Sequence, residues 1–145
     1  MIRLDNIQVI VDKLIKNKKT ISIIDCSMGG CFINAITNMV YGSDILKFGL
    51  VTYSYDFLDK IGIVSDISDG NITVIKEISK KISDFGNSNY GIGLSLIFDS
   101  LVYVSVYDRD NDKYYTLSID IDSENMEDSK RIVVNSITLL LLTIV

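Results

Sequence analysis

Residues 21–30 read Ile21-Ser22-Ile23-Ile24-Asp25-Cys26-Ser27-Met28-Gly29-Gly30. Thr20 to Ile24 is a short run rich in β-branched residues, as a buried strand requires. Two glycines follow it, and behind them Phe32, Ile33, Ile36 and Val40 recur at helical spacing. The stretch therefore predicts a strand that turns sharply into a helix. Cys26 and Ser27 stand at the strand end, beside the free N–H groups of a helix start. Such N–H groups stabilise anions, whether a phosphate or the oxyanion of an acyl-transfer intermediate. Cys26 is the candidate nucleophile, with the N–H groups of Gly29 and Gly30 as oxyanion donors. A thiol placed there is expected to have a lowered pKa.

Working outward, Leu4, Ile7, Val11, Leu14 and Ile15 predict an opening helix. The helix after Gly30 is expected to reach Tyr41 and to stop at Gly42 in a left-handed conformation. Leu46 to Ser54 reads as a strand buried on both faces. A short helical piece from Asp56 to Ile61, closed by Gly62, comes next. Asp69-Gly70-Asn71 reads as a turn before the stripe Ile72, Ile75, Ile78 and Ile82, which predicts a helix. Gly91–Phe98 and Leu101–Tyr107 read as strands, and Tyr114–Ile121 as the hairpin partner of the latter across the polar turn Asp108–Asp112. The acidic residues of that turn lack the glycine and glutamate of a calcium loop. A closing helix begins near Glu124 with Ser123 as its N-cap. The order predicts one α/β domain over residues 1–145, a layered fold with a mixed β-sheet covered by helices.

Composition narrows the function. The 145 residues carry a net charge of −5, which argues against nucleic-acid binding. The lysines of 13–19 and 76–81 read as solvated helix faces. There is no histidine, so Ser-His-Asp and Cys-His catalysis cannot be built from this chain. Cys26 and Cys31 are its two cysteines, too few soft ligands for zinc, and are expected to be reduced in a cytoplasmic protein. The N-terminus has no secretory-signal pattern. The apolar stretch Ile132–Val145, of about 14 residues, is shorter than the ~20 a membrane span needs. It is expected to pack in the core or at a subunit interface of a homo-oligomer, with no membrane partner.

The succession of landmarks resembles the C-terminal domain of the CinA competence/damage-inducible family, which includes nicotinamide mononucleotide deamidases. That family's Ala-Glu-Ser-Cys-Thr-Gly-Gly looks like Ile24 to Gly30, its Gly-Ser turn like Gly42-Ser43, and its Tyr-Ser strand end like Tyr53-Ser54. Its closing helix, with an early Arg, resembles Met126 to Leu142 with Arg131. The resemblance implies hydrolysis of the nicotinamide mononucleotide carboxamide, with ammonia released and no metal or cofactor. Cys26 would attack, Lys60 or Tyr53 would take its proton, and Ser27, Gly29, Gly30, Ser54 and Ser95 would bind substrate or oxyanion. Three features depart from the family. Cys26 replaces its serine, and Leu58 stands where its lysine belongs, with Lys60 two residues on. Leu96-Ile97-Phe98 replace its glycine-rich loop after Ser95. The alternative is therefore a catalytically silent relative that serves as a small-molecule-binding or oligomerisation module. Cys26, Tyr53, Lys60 and Ser95 lining one pocket would mark the enzyme; Leu96 or Phe98 filling it would mark the silent module.

Overall fold

A computed structural model describes residues 4–62 and 72–145. Its elements are α1 (Leu4–Lys16), β1 (Ile21–Asp25), α2 (Cys31–Thr37), α3 (Gly42–Ile45), β2 (Leu46–Val51), a 3₁₀ segment (Tyr55–Ile61), α4 (Ile72–Gly86), β3 (Tyr90–Leu94), β4 (Leu101–Asp108), β5 (Lys113–Asp120) and α5 (Met126–Ile144). The expected turn at Asp69-Gly70-Asn71 lies outside the described residues. The strands form one mixed sheet in the order β2-β1-β3-β4-β5. β1 runs parallel to both neighbours, whereas β3–β4 and β4–β5 are antiparallel.

β1 sits inside the sheet and all five of its residues are buried. Because strand side chains alternate, Ile21 and Ile23 pack with Ile7, Phe32, Val133 and Ile137 from α1, α2 and α5. Ile24 points the other way, into a second cluster with Ile75, Ile78 and Ile82 of α4. The protein is thus a sheet between two helical layers, the mixed α/β arrangement expected.

Several boundaries differ from expectation for local reasons. β2 is an edge strand whose residues alternate between half-buried and exposed, not a strand buried on both faces, and it ends at Val51. α2 stops at Thr37, and Tyr41 rather than Gly42 takes the left-handed conformation, at φ 62°. Gly42 is required for a different reason: a Cβ there would overlap the Ile36 carbonyl oxygen. Gln8 ties this corner to α1 by accepting from the Val40 N–H and donating to its carbonyl, each at 3.0 Å. The N-cap of α5 is Asn125, whose side chain accepts from the Asp128 N–H at 3.2 Å, in place of Ser123.

β3 leaves its ladder at Leu94, earlier than expected. The chain returns through Asp99-Ser100, both at positive φ (48° and 61°), which is the twist a two-residue hairpin loop needs. Between the Ser95–Tyr103 and Phe98–Leu101 pairs, Leu96 and Ile97 both stand opposite Val102 and bend the strand. In α5, Ile137 and Leu141 of the apolar tail are fully buried within the chain, while Ile132 and Leu139 face outward. No described helix is long and apolar enough to cross a membrane.

Candidate functional site at the carboxyl edge of the sheet

The three parallel strands end on one side of the sheet, where open α/β sheets bind ligands. The turn leaving β1 is organised by Asp25. Its side chain is 1% exposed. One carboxylate oxygen accepts from the N–H groups of Ser27 at 3.0 Å and Met28 at 2.7 Å, and the other from Gly30 at 2.7 Å. The anion held by this turn is therefore the protein's own carboxylate. Gly29 and Gly30 take φ of 64° and 77°, conformations that side-chain-bearing residues avoid. The Gly30 N–H, expected as an oxyanion donor, is committed to Asp25. Gly29 is exposed, and its N–H is unpaired among the described residues.

Strand alternation sends Cys26 to the opposite face from Asp25. Cys26 has no exposed surface and lies in one cluster with Tyr55, Leu58, Val74, Ile75 and Ile78, against which Leu96 also packs. Burial, and secondarily the Asp25 charge, push its thiol up to about 12. This corrects the expected lowering: a low-dielectric pocket beside a carboxylate disfavours a thiolate. Cys31, half-buried at the start of α2, is pushed up to about 12 for the same two reasons, partly offset by nearby backbone N–H groups and the Lys130 charge. Alkylation of folded protein by iodoacetamide is accordingly expected at Cys31 and not at Cys26. Its rate should climb about tenfold per pH unit beyond pH ~9, because thiolate keeps forming up to the pKa. Peptide mass spectrometry across pH checks this; a plateau near neutral pH at Cys26 would contradict it.

The remaining hydroxyls are also placed. Ser27 Oγ donates to the Ser95 carbonyl at 2.6 Å, joining the turn after β1 to the end of β3. Ser95 Oγ donates to the Leu96 carbonyl at 2.6 Å and accepts from the Tyr103 N–H at 2.9 Å. Ser54 Oγ caps the 3₁₀ segment by accepting from the Asp56 N–H at 3.1 Å. Lys60 is exposed on that segment. Cys26 and Ser95 are thus buried, whereas Lys60 faces outward.

Tyr53 is brought to the site, together with a residue the sequence reading missed. A Cβ built on Gly29 would lie 3.1 Å from Lys130 Nζ and 3.4 Å from Tyr53 Oη. The ammonium of α5 and the phenol following β2 therefore both stand beside the bare Gly29 backbone. Lys130 is half-buried, and among the described residues it has no ion pair. The available signal was positional: Lys130 lies three and four residues before the core positions Val133 and Val134, hence on the inward flank of α5. Arg131 turns outward and pairs with Asp128 at 2.9 Å. Lys130 also lines an open cleft of about 280 Å³ between α2 and α5.

The family model for the CinA C-terminal domain matches residues 5–95. The chain belongs to the CinA C-terminal domain family. Solved structures of CinA-superfamily proteins share the fold over the whole chain. A competence or damage-inducible protein from Enterobacter asburiae is 15% identical with a TM-score of 0.86, covering 100% of both chains. A CinA superfamily protein from Enterobacter cloacae is 16% identical with a TM-score of 0.85, over 99% of this chain and 92% of that one. The competence/damage-inducible protein CihA from Agrobacterium tumefaciens is 14% identical with a TM-score of 0.78, over 95% and 94%. No curated protein sequence matches. Lys130 lies outside the segment matched by the CinA family model.

Proposed function

We propose that this CinA-family domain binds a small organic anion without hydrolysing it, the anion resting between Lys130 and Tyr53 over Gly29. The observation that carries the reading is where Cys26 lies. Nucleophilic attack needs a thiolate within reach of a carbonyl, and Cys26 is a core residue in a cluster that also holds Leu58. Leu58 is the residue aligned with the family's lysine, so the aligned nucleophile and base positions are both filled by core packing. Leu96, from the stretch that replaces the glycine-rich loop, packs against the same cluster. Ser27 and Ser95, the other hydroxyl candidates, are hydrogen-bonded to backbone. What stays open to solvent is a donor set suited to an anion: an ammonium without a carboxylate partner among the described residues, a phenol and an exposed glycine.

Orthophosphate is the minimal probe of this corner and nicotinamide mononucleotide the nucleotide-sized one. Calorimetric titration is expected to show both binding to the wild-type protein. Lys130→Ala should weaken each by about tenfold or more, the worth of one charge-assisted contact. Thermal stability should change little, because Lys130 makes no ion pair within the described residues. Absence of binding by the wild type, or equal binding by Lys130→Ala, would contradict the reading.

A further inference from the structure

We infer that two copies of this chain pair through β5, antiparallel across a two-fold axis, so that their sheets become one. The inference is independent of the anion-binding reading. β2 and β5 are the two edges of the sheet, and they are built differently. β2 has six residues, and its register with β1 skips the exposed Lys47. A bulge and a lysine are common guards of a free edge. β5 has eight residues in unbroken register with β4, and the chain contains no proline to interrupt it. Such an edge is a template for another strand.

The Ile121 N–H donates to the Ser100 carbonyl, so the odd-numbered residues of β5 bond toward β4. Tyr114, Thr116, Ser118 and Asp120 therefore turn their backbone N–H and C=O groups outward, where no described strand lies. A second copy pairs only in registers that set these residues opposite one another. An axis at Leu117 sets Thr116 against the partner's Ser118, Tyr115 against the partner's Ile119 and Tyr114 against the partner's Asp120. Tyr115 and Leu117 pack on the core from one face, so the pairing extends that core across the axis. On the other face the Lys76 ammonium stands 5.7 Å from the centre of the Tyr114 ring. The partner's Asp120 carboxylate arrives beside it. Among the described residues neither Lys76 nor Asp120 has an ion-pair partner. An axis at Thr116 would instead set Asp120 against the partner's Asp112, so charge selects the Leu117 register.

Sedimentation velocity over a dilution series of the purified chain is expected to show a dimer with a micromolar Kd. Thr116→Pro removes an outward N–H and leaves the bonds to β4 in place. It should give a monomer with the circular dichroism of the wild type. Asp120→Lys should raise Kd by about tenfold or more, and adding Lys76→Glu to it should bring Kd back to within about threefold of the wild type. This charge exchange decides the matter even where the proline disturbs folding. A wild-type chain that stays monomeric at about 100 μM overturns the inference. So does a dimer that Asp120→Lys leaves unchanged, or a double variant no tighter than Asp120→Lys alone.

Discussion

Asp25→Ala is expected to destabilise the protein by about 4 kcal/mol, lowering its thermal midpoint by more than about 10 °C. The buried Asp25 carboxylate accepts three backbone N–H groups at 2.7–3.0 Å. Hydrogen bonds to a charged acceptor contribute about 1.5–3 kcal/mol each, and their loss here leaves buried amides with no replacement. The three bonds share one side chain, so the total is set below their sum. Asp25→Asn is not expected to rescue. Whichever way its amide turns, at least one turn N–H would face an NH₂ donor. Urea unfolding of the two variants measures both effects, and a loss below about 1 kcal/mol would show that the turn is held by something else. The substitution should also weaken phosphate binding, because the same bonds fix Gly29 beneath Tyr53 and Lys130.

Gly91→Ala is the second large effect, expected at about 3 kcal/mol or more. Gly91 lies in β3, between β1 and β4, with α4 packed on top. A methyl group there would overlap the Ser79 carbonyl oxygen and come within 2.9 Å of Ser83 Cβ. Both neighbours belong to α4, and backbone in the middle of a helix cannot step aside alone. The helix would have to lift from the sheet, opening the cluster that holds Ile75, Ile78 and Ile82. Gly62→Ala is the comparison: no atom of the described residues lies within 4 Å of its added Cβ, so the cost expected there comes from its φ of 84°. Equal stability losses in the two variants would contradict the close-packing account.

Periodicity carried most of this fold. The stripe Ile72, Ile75, Ile78 and Ile82 became α4, and the β4–β5 hairpin formed across the turn expected for it. Errors fell where a distant contact overrides a local pattern. Gly42 looks like a helix stop in the sequence, yet it is demanded by the Ile36 carbonyl. Leu46–Val51 is apolar enough for a strand buried on both faces, but it closes the sheet edge.

The candidate site was legible only in part, for the same reason. Asp25 and Cys26 are adjacent, so alternation dictates that they face opposite ways. Which of them meets α2 is decided by the layers above and below β1. The sequence reading gave the turn amides to a substrate oxyanion, whereas the neighbouring carboxylate takes three of them. Lys130 was missed because it is 101 residues beyond Gly29 in the chain and only the docking of α5 brings them together.

The central claim is that this CinA-family domain holds a small anion and does not cleave an amide. Ammonia release from nicotinamide mononucleotide, measured at high protein concentration beside Cys26→Ala, tests it most directly. The account predicts no release above the uncatalysed background from either protein. Turnover by the wild type that disappears in Cys26→Ala would contradict it, since a thiol buried among Tyr55, Leu58 and Ile75 would then have to reach the substrate.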